Sequence, residues 1–409
     1  MEQTQIVFDQ VVYRGCGMDV HKDNVVVTVK GEGLMEDTRT FTTFTSSLQS
    51  LVSWLQQCGV THVAMESTGV YWKPVFNILD PHVELILVNA RHIKHVPGHK
   101  TDRKDSVWIA KLLLSGLLKG SFIPPRASRE LRELYRYKRK LISQRSAEYN
   151  RLQKVLEDAN IKIGSVISDV FGVSGWAMIC AIIDGTTDAR QLANLAKGRL
   201  KNKKQQLLEA LQGSITAHHR FMLTLSRKAI ENIAGLVDEV DQQIDTYLAE
   251  YEAEIKLLQT IPGVQKQTAT AIIAEVGTDM NAFPNQHHLA SWCGLCPGNN
   301  ESAGKKKSER ITHGNNSLKT ALVEAAWAAV HTKDSYLKTR YYALSARRGN
   351  KRALIAIAHK ILVAAYFILK DKVPYQEPNN TQWLEKRRQA QIRSCLKRLH
   401  ELGVDAPSQ

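Results

Sequence analysis

"GCGMDVHKDNVVVTVKG", residues 15–31, consists of two apolar runs around the polar stretch His21–Asn24. Valines fill the second run, so the pattern is that of a hairpin: strand, polar turn, strand. Outward from it, "TRTFTTFTSS" (38–47) alternates Thr and Phe and suits a third strand. "LQSLVSWLQQCG" (48–59) has helical periodicity that stops at Gly59. "THVAMEST" (61–68) and "VELILVNA" (83–90) are short apolar strands, with a helix expected around "VYWKPVFNIL" between them. A further helix is expected from about 102 to 118. The order β-β-β-α-β-α-β-α implies a mixed sheet with helices on both faces, as in the ribonuclease H class of folds.

Beyond residue 125 the periodicity changes. Leu131, Tyr135, Ile142, Tyr149, Leu152 and Leu156 follow heptad spacing, with Lys138 and Arg145 at two seam positions. Ile233, Val237, Val240, Ile244, Tyr247, Tyr251 and Leu258 form a second series. Both predict long helices that pair with each other or with another subunit. Between them, 160–215 reads as a weakly patterned region with Gly-rich turns and the basic run "KGRLKNKK" (197–204). "LLQTIPGVQKQTATAIIAEVG" (257–277) predicts a helix-hairpin-helix whose turn, at Gly263, could offer backbone N–H groups to a phosphate. A plain helical turn would show similar letters. "WCGLCPGNNESAGKKKSERITHGNNSLKTALVEAAWAAV" (292–330) reads as a Gly-, Asn-, Ser- and Lys-rich loop entering an apolar helix. "TQWLEKRRQAQIRSCLKRLHELG" reads as a basic amphipathic helix.

Composition narrows the class. The 409 residues allow two or three domains, and 43% hydrophobic with 23% charged residues is the balance of a soluble globular protein. No basic and apolar leader opens the chain, and six cysteines lack a framework spacing, so a reducing cytosolic setting is expected. "ALIAIAHKILVAAYFIL" (353–369) is interrupted by His359 and Lys360 and reads as a buried helix rather than a membrane span. The net charge of +15 is uneven: 1–120 is neutral, 121–215 carries +8, 216–258 carries −4 and 259–409 carries +11. Charge confined to two blocks favours an extended polyanion, nucleic acid before anionic lipid.

Asp19 in the first strand, Glu66 at the end of "VAMES", and Asp102 with Asp105 on the late helix are the candidate metal ligands. The i, i+3 spacing puts Asp102 and Asp105 on one helical face. Four crowded carboxylates repel, and divalent cations are the natural compensation; an all-oxygen set points to Mg²⁺ or Mn²⁺. Two such ions about 4 Å apart assist both nucleophile and leaving oxygen in phosphodiester cleavage. Singly, each acid is as readily a turn residue, a surface ion pair or a helix cap. An actin-like sugar kinase shares the opening Asp, but "MDVHKDN" lacks the Gly-rich phosphate loop such an enzyme needs. Arg103 and Lys104, between the ligands, are candidates for phosphate contact. Cys293 and Cys296 form a lone CxxC, too few ligands for a zinc site, and Trp292 and Trp327 fit core positions.

"GMDVHKDNVVV", "VAMESTGVYW", "VNARHIKHVPGHKTDRKDSVWIAKLL", "IPGV…TATAIIAEVG" and "LASWCGLCPGNNESAGKKKSERITHGN" together resemble the DEDD-type transposases of insertion sequences. This is the IS-one-ten family, and the chain looks most like its eleven-eleven branch. The resemblance spans roughly 15–370, with the motifs in the same order. It implies an α/β plus α fold: a RuvC-like ribonuclease H domain at 1–125, a coiled-coil connection at 126–258, a mainly helical transposase domain at 259–372 and a basic tail helix at 373–409. It implies a nucleophilic serine before a small-residue turn and a lysine, and "ESAGK" places Ser302 there, with Ala303 where relatives often have a second Gly. It also implies donor and target DNA, a structured guide RNA encoded by the element, and a homo-oligomer (dimer or tetramer) with composite active sites in a prokaryotic cytoplasm.

A serine–phosphate ester would conserve the energy of the broken bond for religation. Lys305, Lys306, Lys307 and Arg310 would neutralise the phosphate. Two readings compete with a DNA transposase. One is a Mg²⁺-dependent nuclease resolving branched DNA with water as nucleophile; the other is a non-catalytic nucleic-acid-binding protein.

Overall fold

The computed structural model describes residues 11–66, 69–88, 102–118, 120–298, 300–302, 305–308, 310–333, 335–378 and 381–401. It describes the backbone alone for Asp102, Arg103, residues 300–302 and 305–308, and part of the last helix. The chain divides into two compact units, Met1–Ile123 and Pro124–Gln409.

The first unit is built on β1 (Arg14–Val20), β2 (Asn24–Gly31), β3 (Leu34–Thr42), β4 (His62–Glu66) and β5 (Glu84–Val88). Its helices are α1 (Thr45–Gln57), α2 (Trp72–Leu79) and α3 (Asp102–Leu114). The sheet order is β3-β2-β1-β4-β5, with β1, β2 and β3 antiparallel and β4 and β5 added in parallel. Strand alternation separates its faces. Cys16, Met18 and Val20 point with Val63 and Met65 into the core under α1 and α2. Ala64 and Val88 point to the opposite face, where Ile109 and Leu113 of α3 cover them.

Glycine lets α3 lie directly on β1. A Cβ at Gly17 would stand 2.2 Å from the Ser106 carbonyl oxygen and 2.4 Å from the Ala110 nitrogen, and one at Gly15 would meet Leu113 at 2.9 Å. The helix therefore runs antiparallel to β1. Ser106, fully buried, fixes its register through a 2.8 Å hydrogen bond between its hydroxyl and that of Thr28 on β2. Gly17→Ala is expected to destabilise this unit by about 1–3 kcal/mol through overpacking. An unchanged thermal transition would show that the helix does not approach so closely.

The second unit is helical. Its long helices α4 (Arg126–Asp158) and α9 (Ala217–Leu248) lie antiparallel. Tyr247 donates to Glu130 at 2.8 Å, Lys138 pairs with Asp241, and His219 Nε2 lies 2.9 Å from Asp158. The two heptad series thus meet within one chain. Leu141, rather than the expected Ile142, is buried, and the second series does not form one helix. Tyr251 lies in a 3-10 turn, and Leu258 ends the separate α10 (Glu252–Leu258).

The weakly patterned stretch 160–215 is a set of short helices packed on the ends of the two long ones. It comprises α5 (Ile163–Val166), α6 (Val173–Ile183), α7 (Ala189–Asn194), a 3-10 turn at Gly198–Lys203 and α8 (Lys204–Ala210). Ile179, Ile182, Leu192 and Leu207 share a core with Leu152, Leu156, Leu223 and Ile230 of the long helices. Elements this short leave too few turns for periodicity to register.

After α11 (Lys266–Val276) and α12 (Gln286–Cys293), the expected loop holds a hairpin of β6 (Asn300–Ser302) and β7 (Lys305–Ser308). The remaining helices are α13 (Asn316–His331), α14 (Tyr336–Arg348), α15 (Asn350–Asp371) and α16 (Thr381–Glu401). By length and composition α15 could cross a membrane, with mean hydropathy 1.8. Half of its apolar stretch is buried, including Ala353, Ile357, Ile361, Ala365 and Leu369, and it packs on α13 and α14.

Candidate active site

Register assembles the acidic end of the first unit. Met18 pairs with Met65, so Asp19 and Glu66 are the next residues along neighbouring parallel strands. Asp19 shares its face with Gly17, and Glu66 with Ala64; both are on the α3 side of the sheet. Along β1, Gly15 meets Leu113 and Gly17 meets Ser106 and Ala110. Continuing toward Asp19 leads to the first turn of α3, which carries Asp102 and Asp105. Asp19 and Glu66 thus share one end of one sheet face, and the helix turn that carries Asp102 and Asp105 starts toward that end.

Asp19 is 6% exposed, Glu66 and Asp105 are half-buried, and Lys104 is exposed. The side chains of Asp102 and Arg103 lie outside the described residues. His21, in the turn that follows β1, sets Nε2 3.3 Å from the Asp19 carboxylate. Among the described residues, no three His, Cys, Asp or Glu side chains are gathered closely enough to hold a metal ion. The chemistry of the set still fits a hard cation. Asp19 is a carboxylate withdrawn from water, and the acids that share its end of the sheet supply only oxygen donors.

Ser302 ends β6 and pairs with Lys305 at the start of β7, while Glu301 pairs with Lys306. The side chains of Ser302, Lys305, Lys306 and Lys307 lie outside the described residues, as do Ala303 and Gly304. The hairpin base is closely built. Pro297 bridges Ile311, Gly298 N–H donates to the Arg310 carbonyl at 2.8 Å, and the Arg310 side chain is exposed. Gly294 (φ +75°) ends α12 beside Gly314, where a Cβ would stand 2.3 Å from the Gly294 nitrogen.

Below this base lies a feature that the sequence reading passed over. Glu275, on the apolar run "TAIIAEVG", is 0% exposed. Arg136 grips its carboxylate with Nε at 2.7 Å and Nη2 at 2.8 Å. Arg132, one turn earlier on α4, stands 3.2 Å from the same carboxylate and donates to the Glu275 carbonyl at 2.6 Å. Burial pushes the Arg132 guanidinium down to about 10, against the opposing pull of Glu275, so it stays charged at neutral pH. Asn315 Nδ2 donates to Glu275 at 2.6 Å while its Oδ1 caps α13 through the Leu318 N–H. One buried acid therefore ties α4, α11 and the exit of the hairpin together. A lone Glu in an apolar helix was the available signal.

The other candidates fall as follows. Gly263 has φ +84°, and a Cβ there would stand 2.4 Å from the Ala325 carbonyl oxygen, so its contact with α13 alone requires glycine. Cys293 is fully buried and its thiol is pushed up to about 12, chiefly by burial. Trp292 is half-buried, but Trp327 is 53% exposed rather than core, stacked edge-on with His331.

Comparison with known proteins adds an independent line. Residues 16–161 match the DEDD-type IS110 transposase profile, and residues 255–342 match the profile described as the transposase IS116/IS110/IS902 family. The chain is 21% identical over 357 residues to the pilin gene-inverting protein of Moraxella bovis, covering 83% of this chain and 90% of that protein. It is 25% identical over 196 residues to the pilin gene-inverting protein of Moraxella lacunata, covering 46% of this chain and 59% of that protein.

Proposed function

The chain belongs to the IS116/IS110/IS902 family of transposases, and from that membership we propose that it cuts and rejoins DNA through a serine–DNA ester. The observation that carries the proposal is the sheet register, which leads Asp19, Glu66 and the Asp102–Asp105 turn to the same end of one face. The strand order, three antiparallel strands extended by two parallel ones, supports a RuvC-like ribonuclease H fold for this unit. Relatives named for gene inversion support a cut-and-rejoin reaction.

Asp19, Glu66, Asp102 and Asp105 would hold Mg²⁺ or Mn²⁺, which when bound supplies Lewis acidity at the reacting phosphate. Ser302 Oγ forms the new P–O bond and gives up its proton. The displaced deoxyribose oxygen takes a proton and leaves as a hydroxyl; religation reverses these changes. Lys305, Lys306, Lys307 and Arg310 balance the phosphate charge, and Arg103 and Lys104 contact the strand near the carboxylates. The +8 block at 121–215 and the +11 block at 259–409 offer surface for DNA and for a guide RNA. A homo-oligomer in the prokaryotic cytoplasm, with Ser302 serving the carboxylates of another subunit, completes the reading.

Incubation with end-labelled DNA from the ends of the element and Mg²⁺, followed by denaturation, is expected to leave label on the protein. Peptide mapping is expected to place it on Ser302. Hydroxyl-terminated cleavage by an active Ser302→Ala variant would overturn the serine mechanism and leave the nuclease reading.

A further inference from the structure

Beside the Glu275 cluster the structure has an open cleft of about 440 Å³, lined by Arg136, Trp292, Gly314, Asn315, Asn316 and Ser317. Its chemistry is unusual for a crevice between helices. Two guanidinium groups face one buried carboxylate, so among the described residues the cluster carries one net positive charge. Arg132 is turned inward and is 17% exposed, whereas Arg136 is 50% exposed and reaches the cleft. Glu275 occupies two of the five N–H groups of Arg136 and holds its fork in one plane. Among the described residues no other acceptor meets the remaining donors of that fork, which leaves them to a ligand. Ser317 and Asn316 add a hydroxyl and an amide, and the Trp292 indole adds an apolar wall.

We propose that this cleft is a strand-holding subsite that takes one nucleotide of the DNA, its phosphate on Arg136 and its sugar and base against Trp292. The volume suits one nucleotide, and a planar cation next to an aromatic wall is the usual combination for a phosphate with its attached base. DNA is favoured over RNA by position. Ser302 follows Trp292 by ten positions, so the cleft lies within about 35 Å of the serine along the chain. That reach corresponds to about ten phosphate steps of one DNA strand. The inference rests on Ser302 being the residue that engages DNA. Arg136 here binds and positions the strand and takes no part in bond breaking.

The test replaces single phosphates by uncharged methylphosphonates, up to ten nucleotides on each side of the cut, in a duplex carrying the end of the element. Binding to the full-length protein with its co-purified RNA is then measured. For the wild type, one or two adjacent positions are expected to weaken binding about tenfold, the size of one charge-assisted hydrogen bond. In Arg136→Gln the same positions are expected to cost less than about twofold, because the partner is already lost. Ser317→Asp leaves the Arg136–Glu275 pair intact and is expected to weaken wild-type DNA binding about tenfold by placing a carboxylate in the cleft. Equal methylphosphonate costs in wild type and Arg136→Gln, or unchanged binding by Ser317→Asp, would overturn the subsite. So would crosslinking of Arg136 or Trp292 to the RNA rather than to the DNA. Adduct formation scored on the same duplex reports on Ser302 separately: label on Ser302 without phosphate interference sinks the cleft alone.

Discussion

Asp19→Asn is expected to slow strand cleavage by about 10³-fold, equivalent to about 4 kcal/mol of lost transition-state stabilisation. Asp19 is 6% exposed and follows Met18, the last residue of β1 paired to β4, on the face covered by α3. Withdrawing a carboxylate from water toward other acids is costly unless a cation shares the site. Asparagine keeps the shape and removes the charge. The variant should therefore melt at the wild-type temperature or slightly above it without Mg²⁺, yet fail in the reaction. Asp23, exposed in the β1–β2 turn, provides the control; Asp23→Asn should cleave at the wild-type rate. Cleavage by Asp19→Asn within tenfold of wild type, at saturating Mg²⁺, would remove Asp19 from the proposed metal site.

Glu275→Gln is expected to cost about 3–5 kcal/mol, the usual penalty for leaving buried charge without its partner. In a unit of this size that lowers the thermal midpoint by about 10 °C. The reason is geometric. Arg132 and Arg136 come from one face of α4, Asn315 comes from the hairpin exit, and all converge on a carboxylate with no exposure. A neutral amide can accept from one guanidinium but cannot offset two. Glu252, paired with Lys256 on the surface, offers the contrast, since both side chains are 71% exposed; Glu252→Gln should leave the melt unchanged. A Glu275→Gln melt within about 2 °C of wild type would show that the cluster is not a stability element.

The first unit was largely legible in its residues, because strands and their turn depend on near neighbours. Val25, Val27 and Val29 alternate with Val26 and Thr28, and the polar stretch at His21–Asn24 can only turn. The order of elements then restricted the sheet to few topologies. The tight packing of α3 was not legible. Nothing near Gly15 and Gly17 in the sequence announces the helix that lies on them, at a distance only glycine permits. The approach of His21 to Asp19 likewise depends on the shape of the turn.

The second unit divides more sharply. Heptad spacing was enough for two long helices, but not for their partner, since a seam of Leu131, Leu152 and Leu156 could be covered by any apolar surface. By itself the sequence determined the strands and helices of the first unit, the two long helices of the second, the residue types of the proposed reaction and the two basic blocks. Those rest on local periodicity and on charge, which survive without a fold. Only the tertiary structure decided which charges meet. Arg136 and Glu275 are 139 residues apart, and Asn315 is another 40 beyond. Burial selects such partners, because a carboxylate removed from water must find its cations wherever the packing of the helices brings them.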